Sequence, residues 1–312
     1  MKISVIVCTY NRDRYIYNAL SSIAGNDFPK SEYEIILVDN NCTDHTTSEV
    51  ERFRKDFPEI DIKYVTESEQ GLSHARNRGI RESNGDILVY VDDDATVNSS
   101  YLSSLSTLFV RRPDILAAGG PIIPVYEDGM EPKWMNRHLR RLLTGYLFFG
   151  KKEKDFPVNH YPGGGNAAYR RTVFEKTGLF NTDLGRKGKN LSAGEEKDIF
   201  DRMTSAGMKF IYTPDAVLYH IIPHYKLEPE YLRQVTFSIG KSERVRTLSV
   251  SRKKYLLRLL SEGVKWCGTF ALCLFHLLRL NPGSGNRLLL FRYNVSRGLL
   301  SKTGVISHGY TL

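Results

Sequence analysis

In Ile87-Leu88-Val89-Tyr90-Val91-Asp92-Asp93-Asp94 an apolar run ends in three acids that no folding requirement explains. The residues before the acids are rich in β-branched and aromatic side chains and predict a buried strand. Three adjacent carboxylates at its end would repel one another. Because side chains alternate along a strand, Asp92 and Asp94 are expected to leave the sheet edge on one side and Asp93 on the other. A pair so placed can grip one hard cation. Mg or Mn takes carboxylate oxygens and keeps positions open for substrate phosphates, which suits a metal-diphosphate complex at a strand's carboxyl end. A solvated turn with an acidic helix cap is the competing reading of the same stretch.

Three further features carry chemistry. In Gly194-Glu195-Glu196-Lys197-Asp198, the helical spacing of Ile199 and Met203 puts Glu195 and Glu196 at or near a helix N-terminus, where anions are favoured. Capping alone would account for one acid there. Gly163-Gly164-Gly165-Asn166 permits close approach of backbone to a ligand, or a plain tight turn. His220 is a lone imidazole that suits either a ligand role or a half-buried structural one. No G-x-G-x-x-G follows the first strand and no G-x-x-x-x-G-K-[ST] occurs, so phosphates are not expected on a glycine loop. An acid-bound metal is the available counter-charge.

These groups need elements to hold them. Ile3 to Val7 reads as the first strand, a helix from about Asp13 to Ala24 buries Ile16, Leu20 and Ile23, and Glu34 to Val38 is the second strand. A helix over 46–57, a strand over 60–65 and a helix opened by Gly71 and closed by Asn84-Gly85 lead to the acid-tipped strand. Strands alternating with helices argue for a parallel sheet with its ligand crevice at the strands' carboxyl ends, where Thr9 to Arg12, Asp39 and Asp92 to Asp94 converge. Leu116 to Pro124 is expected as one more strand, and 132–149 as an amphipathic helix that either packs on the body or covers an acceptor site.

Taken in order, Val5-Ile6-Val7-Cys8-Thr9-Tyr10-Asn11-Arg12, Val38-Asp39-Asn40-Asn41-Cys42-Thr43-Asp44, Ala75-Arg76-Asn77-Arg78-Gly79, the three acids, the glycine run, Gly194-Glu195-Glu196 and His220 resemble the family 2 glycosyltransferases, inverting enzymes of the GT-A fold. The resemblance covers about residues 1–225. It implies an α/β, GT-A (Rossmann-like) domain, a mixed central sheet flanked by helices, with residues 226–312 following as a helical C-terminal region. It implies that Asp39 accepts a hydrogen bond from the nucleotide base, most often uracil, with Thr9, Asn11 and Arg12 completing the pocket. Arg76, Asp93, Gly164 and Asn166 join the donor-binding set. Asp92 and Asp94 match the family's D-x-D, Asp94 on the metal and Asp92 towards the ribose and metal shell, and His220 matches a histidine that completes the metal site.

Glu196 aligns with the family's catalytic base, with Glu195 beside it. Most members have Gly-Glu-Asp here; Asp198 and Arg202 still match and hold the register at Glu196. The implied reaction moves a sugar from a nucleotide-sugar, a UDP-sugar by expectation, to an acceptor hydroxyl with inversion and with Mg or Mn as cofactor. The expected acceptor is a glycan or lipid-linked glycan of cell-surface polysaccharide assembly. A non-catalytic carbohydrate-binding protein on the same fold is a rival that the intact acids disfavour. A metal-dependent nucleotidyltransferase is another, which would ordinarily show a glycine-rich basic loop after the first strand.

The chain's 312 residues, 41% of them hydrophobic, can bury a full core. The apolar run at the N-terminus is too short for a signal peptide, so a cytoplasmic protein is expected. Cys8, Cys42, Cys267 and Cys273 lack CxxC spacing and argue against structural zinc. The net charge of +9 is unevenly placed: residues 226–312 hold 15 Lys and Arg against 4 Asp and Glu. A near-neutral body with a basic, apolar tail fits an anionic membrane surface at the inner face rather than nucleic acid. Between Lys265 and Arg279 only 13 residues lack a full charge, short of the ~20 needed to cross a bilayer. Peripheral attachment is therefore the expectation.

Overall fold

The computed structural model describes residues 1–188 and 194–301. Strands and helices alternate through β1 (Ile3–Thr9), α1 (Asp13–Ala24), β2 (Tyr33–Asp39), α2 (Thr46–Asp56), β3 (Ile62–Thr66), α3 (Leu72–Glu82) and β4 (Ile87–Val91). Then follow β5 (Ala95–Val97), α4 (Tyr101–Arg111), β6 (Ile115–Gly119), β7 (Ile122–Tyr126), α5 (Arg137–Thr144), β8 (Lys154–Asp155), β9 (Asn166–Arg170) and α6 (Thr172–Thr177). The remainder is α7 (Glu195–Ser205), β10 (Lys209–Tyr212), β11 (Leu218–Ile222), α8 (Pro229–Val250), α9 (Arg252–Leu278) and α10 (Pro282–Leu300).

Every side chain of β2 and β4 is buried, because helices cover both faces of the sheet. The period of two sorts them. Val5, Val7, Ile35, Leu37 and Val89 pack on Ile16, Leu20 and Ile23 of α1, while Ile6, Ile36, Leu88 and Tyr90 pack on Ala75 and Ile80 of α3 and Ile199 and Met203 of α7. Fully burying each aliphatic side chain contributes about 1.5–3 kcal/mol.

The large sheet runs β3-β2-β1-β4-β9-β6-β10-β8 and a small one runs β5-β11-β7. The first four strands of the large sheet are parallel, as expected. Beyond them the sheet is mixed, since β9 lies antiparallel between β4 and β6. This strand starts at Asn166, just after the glycine run, which turns with the Asn166 N–H donating to the Gly163 carbonyl at 2.8 Å. The single strand expected over 116–124 is two, in different sheets, parted at Gly120-Pro121 where proline has no N–H to continue a ladder. The helix expected over 132–149 is confined to α5 and is followed at once by Gly145, whose φ is +69°.

The chain forms two compact units. One comprises Met1–Val125, Gly145–Thr182 and Glu195–Ile221; the other is built on Tyr126–Thr144 and residues 222–301. In the second unit Leu139 and Leu143 of α5 pack with Leu232 and Val235 of α8 and Leu288 of α10. The apolar face of α5 is thus consumed by its own unit. The apolar segments of the tail are joined, with α9 a single helix of 27 residues. No helix among the described residues is long and apolar enough to cross a membrane.

Candidate active site

The carboxyl ends of β1, β2 and β4 stand side by side, because β1 pairs in parallel with both. Thr9 is level with Asp39, and Ile6, three residues before it, is level with Tyr90, two residues before Asp92. Asp39 is buried: its Oδ1 accepts the Cys42 N–H at 2.7 Å, and its Oδ2 accepts the Tyr64 hydroxyl. Burial, and then that hydrogen bond, push the Tyr64 hydroxyl up to about 12. Asn11 takes a left-handed backbone (φ 53°) and its Oδ1 accepts the Thr43 N–H at 2.7 Å, so the loops after β1 and β2 are tied together.

The three acids do not divide across the sheet as alternation would have them. The strand ends at Val91 and the next residues turn, with the Asp92 carbonyl accepting the Ala95 N–H at 3.2 Å. Asp94 is 5% exposed; its Oδ2 lies 3.7 Å from Arg12 Nη2, so Arg12 faces this acid. Asp93 shares this surrounding: burial and then Asp94 raise its carboxyl, against the pull of Arg12. His220 arrives through the small sheet. Antiparallel pairing sets it opposite Ala95, the Ile221 N–H donates to the Asp94 carbonyl at 2.9 Å, and His220 Nε2 comes to rest 3.3 Å from Asp94 Oδ1.

That spacing suits two ligands on one ion, since adjacent positions around an octahedral Mg or Mn stand about 3 Å apart. Asp92 stands outside the pair, and among the described residues no group of three His, Cys, Asp or Glu closes on a single point. The donor set therefore fits a cation that takes its remaining ligands from phosphate and water.

Asp92 belongs to the next cluster. A Cβ on Gly165 would fall 2.0 Å from Asp92 Oδ2, and one on Gly164 would fall 2.7 Å from Arg76 Nη2. The backbone of the glycine run lies directly against an acid and a guanidinium, and a side chain at Gly165 would have to displace the acid. Arg76 is itself 4% exposed, with Tyr90 and Phe180 ring centroids 5.6 and 5.3 Å away. Its Nη1 bonds Glu195 Oε1 at 2.9 Å. Glu195, Glu196 and Asp92 together hold the guanidinium above its ordinary value despite burial.

Glu195 and Glu196 open α7, where the helix dipole favours negative charge. Asp198 and Arg202 pair at 2.7 Å, and Arg202 also donates to the Leu179 carbonyl, anchoring the helix. Burial, and then Glu196, push the Glu195 carboxyl up, while Arg76 pulls it down. One oxygen of each, Glu195 Oε2 and Glu196 Oε2, is buried without a hydrogen-bond partner among the described residues. Orphaned acceptors of this kind can take up a proton or a hydroxyl.

Asn166 does not present its amide to this cluster. Its Oδ1 accepts the Tyr101 hydroxyl at 2.7 Å and its Nδ2 donates to the Pro121 and Ala216 carbonyls at 2.9 and 3.1 Å, which staples the strand crossing beneath. The sequence reading missed Tyr64. Its signal is positional: Tyr64 is level with Leu37 in β3, and Leu37 shares a face with Asp39 two residues on.

The sequence profile described as glycosyl transferase family 2 matches residues 4–178. Glucosyl-dolichyl phosphate glucuronosyltransferase of Haloferax volcanii is 29% identical over 259 residues, covering 80% of this chain and 78% of that protein. Among solved structures, the mannosyltransferase PcManGT of Pyrobaculum calidifontis, in complex with GDP-Man and Mn2+, superposes with a TM-score of 0.62 at 20% identity over 97% of this chain and 88% of that one. Staphylococcus aureus TarS 1-349 in complex with UDP gives 0.53 at 22% identity over 77% of this chain, which spans only 65% of that one. With the mixed sheet and the crevice at its strand ends, these likenesses establish that the chain is a glycosyltransferase of the GT-A fold and belongs to glycosyl transferase family 2.

Proposed function

We propose that the chain transfers a sugar from a nucleotide-sugar, a UDP-sugar in our reading, to a hydroxyl of a lipid-linked or polysaccharide glycan with inversion at the anomeric carbon. The observation that carries this is the pair of orphaned oxygens of Glu195 and Glu196, joined through Arg76 to the acids at the end of β4. Residues 1–225 hold this machinery and residues 226–312 serve placement.

Asp39 keeps lone pairs beyond those used by Tyr64 and Cys42, enough to accept an imide N–H of a base. Thr9, Asn11 and Arg12 border that pocket, Asp92 and Asp93 face the ribose and phosphates, and the Gly164 backbone lets the donor sugar approach. Glu196 is the base. Its carboxylate takes the acceptor's proton as the hydroxyl oxygen bonds to the anomeric carbon and the bond to the diphosphate breaks on the opposite face. Arg76 fixes the neighbouring Glu195 by donating from its Nη1 to Glu195 Oε1 at 2.9 Å. A Mg or Mn ion held by Asp94 and His220, with Asp92 in its outer shell, would offset the charge growing on the departing diphosphate.

The lipid-linked acceptor is favoured by the Haloferax relative, a glucosyl-dolichyl phosphate glucuronosyltransferase. We place the protein in the cytoplasm, peripheral at the inner face of the membrane, on its basic C-terminal region. The test is a panel of nucleotide-sugars with a glycosylated polyprenyl phosphate and Mn2+. Metal-dependent release of nucleoside diphosphate, coupled to acceptor elongation, is expected; release of pyrophosphate, or no turnover with any donor, would overturn the reading.

A further inference from the structure

Of the 27 residues of α9, only Glu262 and Thr269 are buried. Leu256, Leu260, Val264, Ala271, Leu274 and Leu278 recur at three-, four- and seven-residue steps and are all exposed, Leu260, Val264 and Leu278 by 70, 74 and 76%. They form one stripe about 33 Å long at 1.5 Å per residue. The opposite face is polar and already satisfied: Arg258 and Arg292 bond Glu262 at 2.7 and 3.0 Å. A helix so divided suits a plane between water and hydrocarbon rather than a span.

Charge selects the occupant. Glu262 is the one acid in the sequence of α9, and Arg252, Lys253 and Lys254 stand exposed at its start with Lys265 and Arg279 exposed further along. A second copy docked stripe to stripe would set this positive charge against itself, whereas anionic headgroups neutralise it. We infer that α9 lies flat in the headgroup-acyl boundary of an anionic bilayer, its apolar stripe inserted and its first-turn basic residues on the headgroups. This deepens, and rests on, the membrane placement proposed above.

The full chain is mixed with phosphatidylglycerol-phosphatidylcholine vesicles or with phosphatidylcholine alone and floated at low salt. The wild-type chain should float with the anionic vesicles, and Leu260→Glu with Leu274→Glu should cut partition at least about ten-fold, as the loss of two buried leucines implies. Lys253→Glu with Lys254→Glu should remove the preference for anionic over neutral vesicles. Turnover on a water-soluble acceptor should be unchanged in both variants, which shows they are folded. Equal flotation of Leu260→Glu/Leu274→Glu and wild type would leave the membrane placement standing and sink the role of α9. A wild-type chain that stays in the soluble fraction would sink both. If the leucine variant loses self-association in sedimentation yet still floats, the stripe is a contact between copies and the inference fails.

Discussion

Arg76 Nη1 sits 2.9 Å from Glu195 Oε1, with each side chain about 5% exposed and the partners 119 residues apart in sequence. The pair is the link between the acids of β4 and those of α7, and its energetics are those of a buried ion pair. Forming it gains little net stability, but breaking one side strands a buried charge. Above the raised value of Glu195, where that carboxyl is ionised, Arg76→Gln should therefore lower unfolding stability by about 3–5 kcal/mol, because two neighbouring acids lose their counter-charge. Adding Glu195→Gln should recover most of that loss. Urea unfolding of the three variants tests this, and a double variant no more stable than Arg76→Gln would refute the pairing as the cause.

The same carboxyl makes stability depend on pH. In the unfolded chain Glu195 ionises at its ordinary value; in the fold burial and Glu196 raise it. Between those two values the native state keeps a proton that the unfolded state has released, so stability falls as pH rises through the window. Below the ordinary carboxylate range the contribution is fully present. Urea midpoints followed from about pH 5 to pH 8 should decline for the wild type and decline less for Glu195→Gln. Parallel slopes would show that Arg76 outweighs burial and leaves the carboxyl unraised.

The base proposed above is chosen by what each acid touches. Each acid keeps one orphaned oxygen, but Glu195 is buried and committed to Arg76, whereas Glu196 is half-buried. Glu196→Gln keeps the shape and removes the base, and should lower kcat at least ~100-fold with donor KM little changed. Circular dichroism establishes that the variant is folded. Near-normal turnover would transfer the role to Glu195 or abolish the assignment.

The first half of the fold is legible because its strands are continuous apolar runs and its helices carry a 3.6-residue period. The elements from β1 to β4 fall within about two residues of their expected bounds. The second half is not. Asn166-Ala167-Ala168-Tyr169-Arg170 contains no β-branched residue, and it is a strand because β4 and β6 flank it on both sides. Motifs likewise name the acids but not their neighbours. That Arg76 meets Glu195, or that pairing of β5 with β11 carries His220 to Asp94, depends on contacts more than a hundred residues apart. Asn166 shows the converse: a residue in a motif whose amide is spent on holding the strand crossing.

Gly165→Ala separates the glycine run's two possible roles. If it were a plain turn, alanine would cost only backbone strain. Instead a Cβ at Gly165 would stand 2.0 Å from Asp92 Oδ2, a distance no relaxation of a buried loop accepts without moving the acid. Gly165→Ala should displace Asp92, weaken Mn2+ uptake in the presence of UDP by calorimetry, and lower turnover more than it lowers stability. Gly268→Ala is the control: in α9 its Cβ meets nothing within 4 Å, so it should be neutral or stabilise the fold by up to about 1 kcal/mol. Undiminished metal uptake and turnover in Gly165→Ala would mean that the acid at the end of β4 can shift without consequence, and that Asp92 has no part in the donor complex.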